Sequence, residues 1–166
     1  DFGACILPAR HVGGDFYDFF RIGDDKMGLL IGDVADKGVP SALFMARTHA
    51  LIMAEANKGV SAGEVIELVN RHITRMHKQT QFVTVLYGIL NLETGELNYA
   101  RAGHEPPLVL TIDGSVERLP HSKSIPLGLL ENIVIDQRSA VLLPGTTLLM
   151  FTDGMLDCRN AKGEPF

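Results

Sequence analysis

From residue 81 onward, short apolar segments alternate with tight turns, and this pattern constrains the fold more than any other feature of the sequence. Turn signals such as Asp113-Gly114 and Pro144-Gly145 separate the segments. Connections this short predict antiparallel neighbours, since parallel strands need long crossovers. The predicted strands cover residues 82–91, 96–103, 107–112, 115–119, 132–142 and 146–154.

The first half of the chain predicts a hairpin followed by two helices. Residues 15–22 and 26–34 flank a GDD turn and are predicted to be its strands. The first helix is predicted from Pro40 to about Lys58, because proline suits a first turn. The second is predicted from Ser61 to about Lys78, opening with the S-x-x-E spacing of a capping box. Two helices among antiparallel strands predict a layered α+β sandwich, with helices over sheet faces and room for two stacked sheets.

Length and composition predict one globular domain covering residues 1–166. Hydrophobic residues make up 46% and charged residues 21%, which suits a folded core. A net charge of −5 without a basic cluster argues against nucleic acid and lipid surfaces as partners. No apolar run approaches the ~20 residues that span a bilayer. Cys5 and Cys158 show no disulfide or metal spacing, which predicts free thiols in a reducing, cytoplasmic compartment.

Three predicted strand ends carry an aspartate next to a glycine. Asp33 ends the apolar run in LLIGDVADKG, Asp153 ends TTLLMFTDG, and Asp15 follows two glycines in VGGDFYD. An unpaired carboxylate at the end of a buried strand costs several kcal/mol, so a partner for the charge is expected. Carboxylates without nitrogen or sulfur neighbours suit Mg²⁺ or Mn²⁺, and the Val34 carbonyl is a further candidate ligand. A turn or capping role is the alternative for each aspartate alone, but three together favour a divalent metal site.

Two short motifs resemble those of other enzymes, but each lacks an acidic residue that the motif requires. GGDFY lacks the glutamate of the GGDEF motif of diguanylate cyclases, and it begins at Gly13 without a preceding domain body. LLMFTDGMLD is similar to the haloacid dehalogenase signature. Whichever acid of that signature Asp153 supplies, the other falls on Phe151 or Met155, neither of which is acidic.

Five blocks, in order, resemble the SpoIIE-like and RsbU-like bacterial branch of the metal-dependent type-2C protein serine/threonine phosphatases. The blocks are PARHVGGDFYDFF, GLLIGDVADKGVPSALFMA, FVTVLYGILNLETGELNYARAGHEPPLVL, IPLGLL and LLMFTDGMLDCRNAKGEPF, so the resemblance runs from about Leu7 to Phe166. It implies a four-layer αββα sandwich of two antiparallel sheets flanked by helices. It also implies hydrolysis of phosphoserine or phosphothreonine on a signalling protein. The implied substrate is a phosphorylated anti-sigma-factor antagonist, with an upstream sensor or receiver domain in the full-length chain.

The same resemblance assigns the site residues. It places the catalytic, metal-binding acids on Asp15, Asp33 and Asp153, together with the Val34 carbonyl, around two Mn²⁺ or Mg²⁺ ions. A metal-activated water then attacks phosphorus without a side-chain nucleophile. Arg10 stands where some relatives bind phosphate, with a surface arginine as the alternative. Two further residues are candidates for outer support of the metal site, Asp18 and Asp157, with ordinary pairing or capping as their alternatives.

The sequence departs from the family pattern at two places. Ala35 stands where other members carry a histidine that acts as a general acid. The DD-x-T strand that supplies a further metal ligand does not occur by Phe166, which predicts an excised domain lacking its C-terminal strand. These departures leave one alternative open, a catalytically weak or inactive phosphatase-fold module that binds and regulates a partner. His104 is predicted to be structural, and Asp36 to be a turn residue.

Overall fold

The computed structural model describes residues 1–7, 13–76, 81–160 and 162–164. Its larger sheet has five strands, paired antiparallel in the order β1-β2-β3-β4-β7. These strands are β1 (Phe16–Ile22), β2 (Lys26–Val34), β3 (Val83–Asn91), β4 (Glu96–Ala102) and β7 (Asp136–Val141). The hairpin predicted at the GDD turn is therefore confirmed, with β1 and β2 as its arms.

A smaller antiparallel sheet stacks on the larger one. Its order is β6-β5-β8, formed by β5 (Leu108–Leu110), β6 (Val116–Arg118) and β8 (Thr147–Leu149). Apolar side chains of both sheets meet in one buried cluster between them. The larger sheet contributes Leu29, Leu86, Leu97 and Tyr99, and Val109 of β5 joins them. The predicted α+β class with two stacked antiparallel sheets is confirmed.

Two helices cover the opposite face of the larger sheet. They are α1 (Val39–Ala56), with Pro40 in its first turn, and α2 (Ala62–Met76). The predicted capping box is present: Ser61 N donates to Glu64 Oε2 at 2.9 Å, and Glu64 N donates to Ser61 Oγ at 3.3 Å. The cluster that joins the helices to the sheet includes Phe44, Ile52, Ile66, Val69 and Ile73.

The alternation along β2 places Asp33 between the two sheets. Leu30 and Val34 belong to the core under the helices, whereas Leu29 and Ile31 belong to the core between the sheets. Because side chains alternate along a strand, Asp33 shares the face of Leu29 and Ile31. It lies at the end of that layer, where β2 leaves the sheet.

The structure differs from the sequence-based expectation in two respects. Within the described ranges, α1 and α2 both lie on the larger sheet, so three layers of the implied αββα sandwich are observed and the second helical layer is not among them. The strand predicted at 146–154 is shorter, because β8 pairs with the three-residue β5 and its ladder ends at Leu149. The chain then forms a 3₁₀ turn at Asp153–Met155.

No helix in the described part of the chain combines the length and the apolar character needed to cross a bilayer. Cys5 and Cys158 are both free and exposed.

Candidate metal centre

Neighbouring strands place Asp15 directly beside Asp33. The β1–β2 register pairs Phe16 with Gly32, and Val34 N donates to Gly14 O at 3.3 Å, so the same pairing continues past the strand end. In this register Asp15 stands opposite Asp33, and residues opposite each other on paired strands project from the same face. The structure thus brings these two predicted site residues together.

A close backbone approach holds the Val34 carbonyl at this pair. A Cβ at Gly14 would lie 2.6 Å from Val34 O and 3.0 Å from Val34 Cβ. Only glycine leaves room for this approach.

The third acid, Asp153, lies on a different element, the turn that follows β8. It is exposed and begins the 3₁₀ turn, in which its carbonyl accepts hydrogen bonds from Leu156 N at 2.8 Å and Asp157 N at 2.9 Å. Burial raises the pKa of Asp33 to about 6, with added repulsion from Asp15 and Asp153. The charges of Asp15 and Asp153 therefore both act on Asp33.

The chemistry of these residues fits a hard divalent cation. Within residues 1–7, 13–76, 81–160 and 162–164, no three or more His, Cys, Asp or Glu side chains form a group that could hold a metal ion, so Asp153 does not complete a three-acid cluster with Asp15 and Asp33. Mg²⁺ and Mn²⁺ do not need one, because Mg²⁺ keeps several waters and takes few protein oxygens. The raised pKa of Asp33 reflects first the cost of ionising a half-buried carboxylate and second the charges of Asp15 and Asp153, and a cation offsets that cost.

A buried histidine adjoins the site. His104 Nδ1 lies 2.8 Å from Thr84 Oγ1, and His104 Nε2 lies 3.1 Å from the Phe151 carbonyl. Burial lowers the pKa of His104 to about 4, so its ring is neutral at pH 7. His104 was predicted to be structural, whereas Thr84 was not predicted from the sequence. The one signal for Thr84 was its place in the β3 segment, where alternation puts it on the inter-sheet face with Leu86.

An open cavity of about 480 Å³ lies along the loop that follows Asp33. Asp36 adopts the left-handed conformation there, at φ 71°, which agrees with its predicted role as a turn residue. Lys37 is exposed, and its charge opposes the rise in the pKa of Asp33. The residues lining the cavity are Asp36, Lys37, Pro40, Ser41 and Gln81. Sequence reasoning did not single out Lys37.

The remaining predicted site residues lie elsewhere. Asp18 faces the helices, on the opposite side of β1 from Asp15, and its Oδ2 lies 2.7 Å from His49 Nε2 of α1. The structure therefore supports the pairing alternative for Asp18 rather than a place beside the metal. Asp157 is exposed in the turn after Asp153. Arg10 lies outside the described residues.

Residues 23–166 match the family model described as Stage II sporulation protein E (SpoIIE), and the chain belongs to this family. The resemblance stated from the sequence is confirmed. The chain is 28% identical to the phosphoserine phosphatase RsbU of Bacillus subtilis over 163 residues, covering 98% of this chain and 48% of RsbU.

Solved structures agree with this assignment. The structure of the RsbU and RsbW domains of Rv1364c from Mycobacterium tuberculosis matches with a TM-score of 0.80 at 30% identity, covering 95% of this chain and 44% of that one. The PP2C phosphatase domain of SpoIIE from Bacillus subtilis matches with a TM-score of 0.76 at 21% identity, over 88% of this chain and 43% of that one. The fold is that of the PP2C phosphatases, and the chain spans less than half the length of each of these relatives.

Proposed function

We propose that this chain is a metal-dependent protein serine/threonine phosphatase domain that hydrolyses phosphoserine or phosphothreonine on a signalling protein. The observation that carries the proposal is the placement of Asp15 opposite Asp33 at one end of the inter-sheet layer, where the charge of Asp153 also acts on Asp33. In a member of the SpoIIE family, three acids at this place match the residues that the family resemblance assigns to metal binding.

In this proposal, Asp15, Asp33 and Asp153, with the Val34 carbonyl, hold Mn²⁺ or Mg²⁺, and two ions are expected. Such ions supply a water of lowered pKa for attack on phosphorus and positive charge for the phosphoryl oxygens. The acids are anchored on different elements: Asp15 and Asp33 on the β1–β2 hairpin, and Asp153 on the turn after β8. The chain's own contribution is to set Asp15 and Asp33 side by side on one face of the hairpin.

Lys37 is the described cation best placed to meet a phosphorylated substrate. It is exposed in the cavity beside Asp33, and phosphate is recognised by cationic donors. Arg10 remains the second proposed phosphate contact.

The leaving group is proposed to take its proton from water. Ala35 has no proton to give, and its backbone N–H already donates to Phe82 O at 3.0 Å. His104 is buried and neutral, and its Nε2–H faces the Phe151 carbonyl. Neither residue can serve as a general acid in this arrangement.

We propose a phosphorylated anti-sigma-factor antagonist as the substrate, and a sensor or receiver domain upstream in the full-length, cytoplasmic protein. Two points support this: the family resemblance, and the similarity to RsbU, which is named as a phosphoserine phosphatase.

The test is phosphate release from a phosphoserine protein and from p-nitrophenyl phosphate, measured with and without Mn²⁺ on the full-length protein. Asp33→Asn is expected to lower turnover by at least ~100-fold, because it removes one charge from the proposed ligand set. Asp24→Asn, in the exposed β1–β2 turn, is the matched control and is expected to leave turnover unchanged. Wild-type protein without Mn²⁺-dependent turnover would contradict the proposal and favour the alternative of a partner-binding module.

A further inference from the structure

Thr84 and His104 form a hydrogen-bonded link across the end of the larger sheet. Thr84 stands opposite Asp33 in the β2–β3 register, and His104 follows the end of β4. A backbone carbonyl can only accept, so His104 Nε2 carries the proton and donates to Phe151 O at 3.1 Å. The other ring nitrogen, Nδ1, then accepts from the Thr84 hydroxyl at 2.8 Å. The proton positions are thereby fixed by the partners.

This link reaches the strand ends that carry Asp33 and Asp153, because Thr84 stands opposite Asp33 in the β2–β3 ladder. The single proton of the Thr84 hydroxyl goes to His104, so the approach of Thr84 Oγ1 to the Asp33 carbonyl, at 3.4 Å, is a contact and not a second hydrogen bond. Phe151 stands two residues before Asp153, in a segment that has already left the β8 ladder at Leu149. The hydrogen bond from His104 therefore fixes this segment where strand pairing no longer does.

His104 is itself held firmly. His104 is only 3% exposed. The guanidinium of Arg101 donates a hydrogen bond to the His104 carbonyl. The preceding residue, Gly103, donates its N–H to Ser124 Oγ at 2.9 Å. A Cβ at Gly103 would lie 2.6 Å from Pro126 Cγ, so this turn fits closely against its neighbour. Because these contacts hold the His104 ring in one position, the ring can hold Phe151 in place.

We propose that Thr84 and His104 are positioning residues that set the placement of Asp153 relative to Asp33 for cation binding. The inference rests on the proposed function in one respect, since it takes these acids to bind the cation. The competing explanation is that the two hydrogen bonds only stabilise the fold. A purely structural role changes the unfolding temperature and leaves the cation affinity of the folded protein as it was.

The test is Mn²⁺ binding to the full-length protein by titration calorimetry, with thermal unfolding in chelator as the second readout. Thr84→Val removes the hydroxyl and keeps the shape and β-branching of threonine, so it breaks the link without a large cavity. Thr84→Ser retains the hydroxyl and is the conservative rescue. Thr94→Val, in the exposed β3–β4 turn, is the matched control.

We expect Thr84→Val to weaken Mn²⁺ binding by about 10-fold, as loss of supporting groups around metal ligands typically does, while Thr84→Ser and Thr94→Val bind as the wild type does. A folded Thr84→Val protein with wild-type Mn²⁺ affinity would overturn the positioning role and leave the proposed phosphatase intact. Wild-type protein that binds no Mn²⁺ would overturn the metal site itself, and the positioning role with it. His104→Ala, if folded, is expected to weaken binding at least as much as Thr84→Val.

Discussion

The carboxyl group of Asp33 is hard to ionise, because it is half-buried between Asp15 and Asp153. Its pKa rises from the ordinary 3.8 to about 6, whereas Lys37 and the Val34 N–H act in the opposite direction. A carboxyl whose pKa is raised in the fold stabilises the folded state below its unfolded pKa, and this contribution is lost as pH rises through the folded pKa. The metal-free protein therefore loses stability at Asp33 between about pH 4 and pH 6.

Asp33→Asn is expected to stabilise the metal-free protein at pH 7.5 even as it impairs the proposed activity. The expected gain in the free energy of unfolding is about 1 kcal/mol once solvent screening at this half-exposed site is allowed for, which corresponds to about 2–4 °C in unfolding temperature. Thermal unfolding in chelator, from pH 4 to 7.5, checks the prediction. The gain should shrink toward pH 4, and a variant less stable than wild type at pH 7.5 would refute the electrostatic account.

His104 gives the opposite pH dependence. Burial lowers its pKa from 6.5 to about 4, although the Phe151 carbonyl favours the protonated ring. Between those values the unfolded chain binds a proton that the folded chain does not, so the contribution of His104 is present above pH 6.5 and lost as pH falls toward 4.

His104→Gln is expected to remove this pH dependence. Relative to the variant, the wild type should lose up to about 3 kcal/mol of unfolding free energy from pH 7 to pH 4. Urea unfolding of both metal-free proteins across this range provides the measurement. Parallel curves for the two proteins would show that His104 is not buried in its neutral form.

At the level of elements, the β1–β2 hairpin carries two of the acids and depends on one glycine. Gly14 leaves no space for a side chain, since a Cβ there would lie 2.6 Å from Val34 O, whereas the nearest atom to a Cβ at Gly13 is Asp15 N at 3.9 Å. Gly13 and Gly14 thus offer a matched pair of positions: Gly13 has room for a Cβ, and Gly14 does not.

Gly14→Ala is expected to destabilise the protein by about 1–3 kcal/mol, the usual cost of overpacking, and to weaken Mn²⁺ binding as the strands separate. Gly13→Ala is expected to be near neutral in both respects. Urea unfolding and calorimetric Mn²⁺ titration supply the two readouts. Equal effects of the two substitutions would rule out the close approach at Val34 as the cause.

The loop between β2 and α1 carries the proposed substrate contact. Lys37→Ala is expected to raise the KM for a phosphoserine protein about 2–5-fold with little change in kcat, because an exposed cation contributes up to ~1 kcal/mol. Lys37→Arg should keep the wild-type KM, and Lys26→Ala, at the far end of β2, serves as the control. Steady-state kinetics with Mn²⁺ decide the matter, and an unchanged KM in Lys37→Ala would remove this residue from the substrate site.

Across the molecule as a whole, the local patterns were predictable and the cross-element contacts were not. Short apolar runs and turn residues predicted the strands of the larger sheet, and Pro40 and the Ser61–Glu64 box predicted the helix starts. These signals act within a few residues. The shortening of β8 was missed because it depends on its partner β5, and strand length is settled by pairing rather than by the apolar run itself.

In the candidate site, too, local patterns were predictable and contacts between elements were not. Three strand-end aspartates were visible in the sequence, because Asp33 and Asp153 each end an apolar run beside a glycine and Asp15 begins a strand behind two glycines. The Thr84–His104 link joins residues from three separate elements, and no local pattern contains it. The opposite faces of Asp15 and Asp18 were foreseeable from alternation, but the partner of Asp18, His49 of α1, was not.

The proposed function depends above all on Asp15, Asp33 and Asp153 forming a cation site that supports phosphoester hydrolysis. The decisive measurement is phosphate release from a phosphoserine protein by the full-length protein, first stripped with chelator and then titrated with Mn²⁺. Release that is absent after stripping and restored by Mn²⁺ in wild type, but not in Asp153→Asn, is the expected outcome. Phosphate release that persists after stripping would refute the cation site. Release that Mn²⁺ restores in Asp153→Asn as fully as in wild type would refute it too.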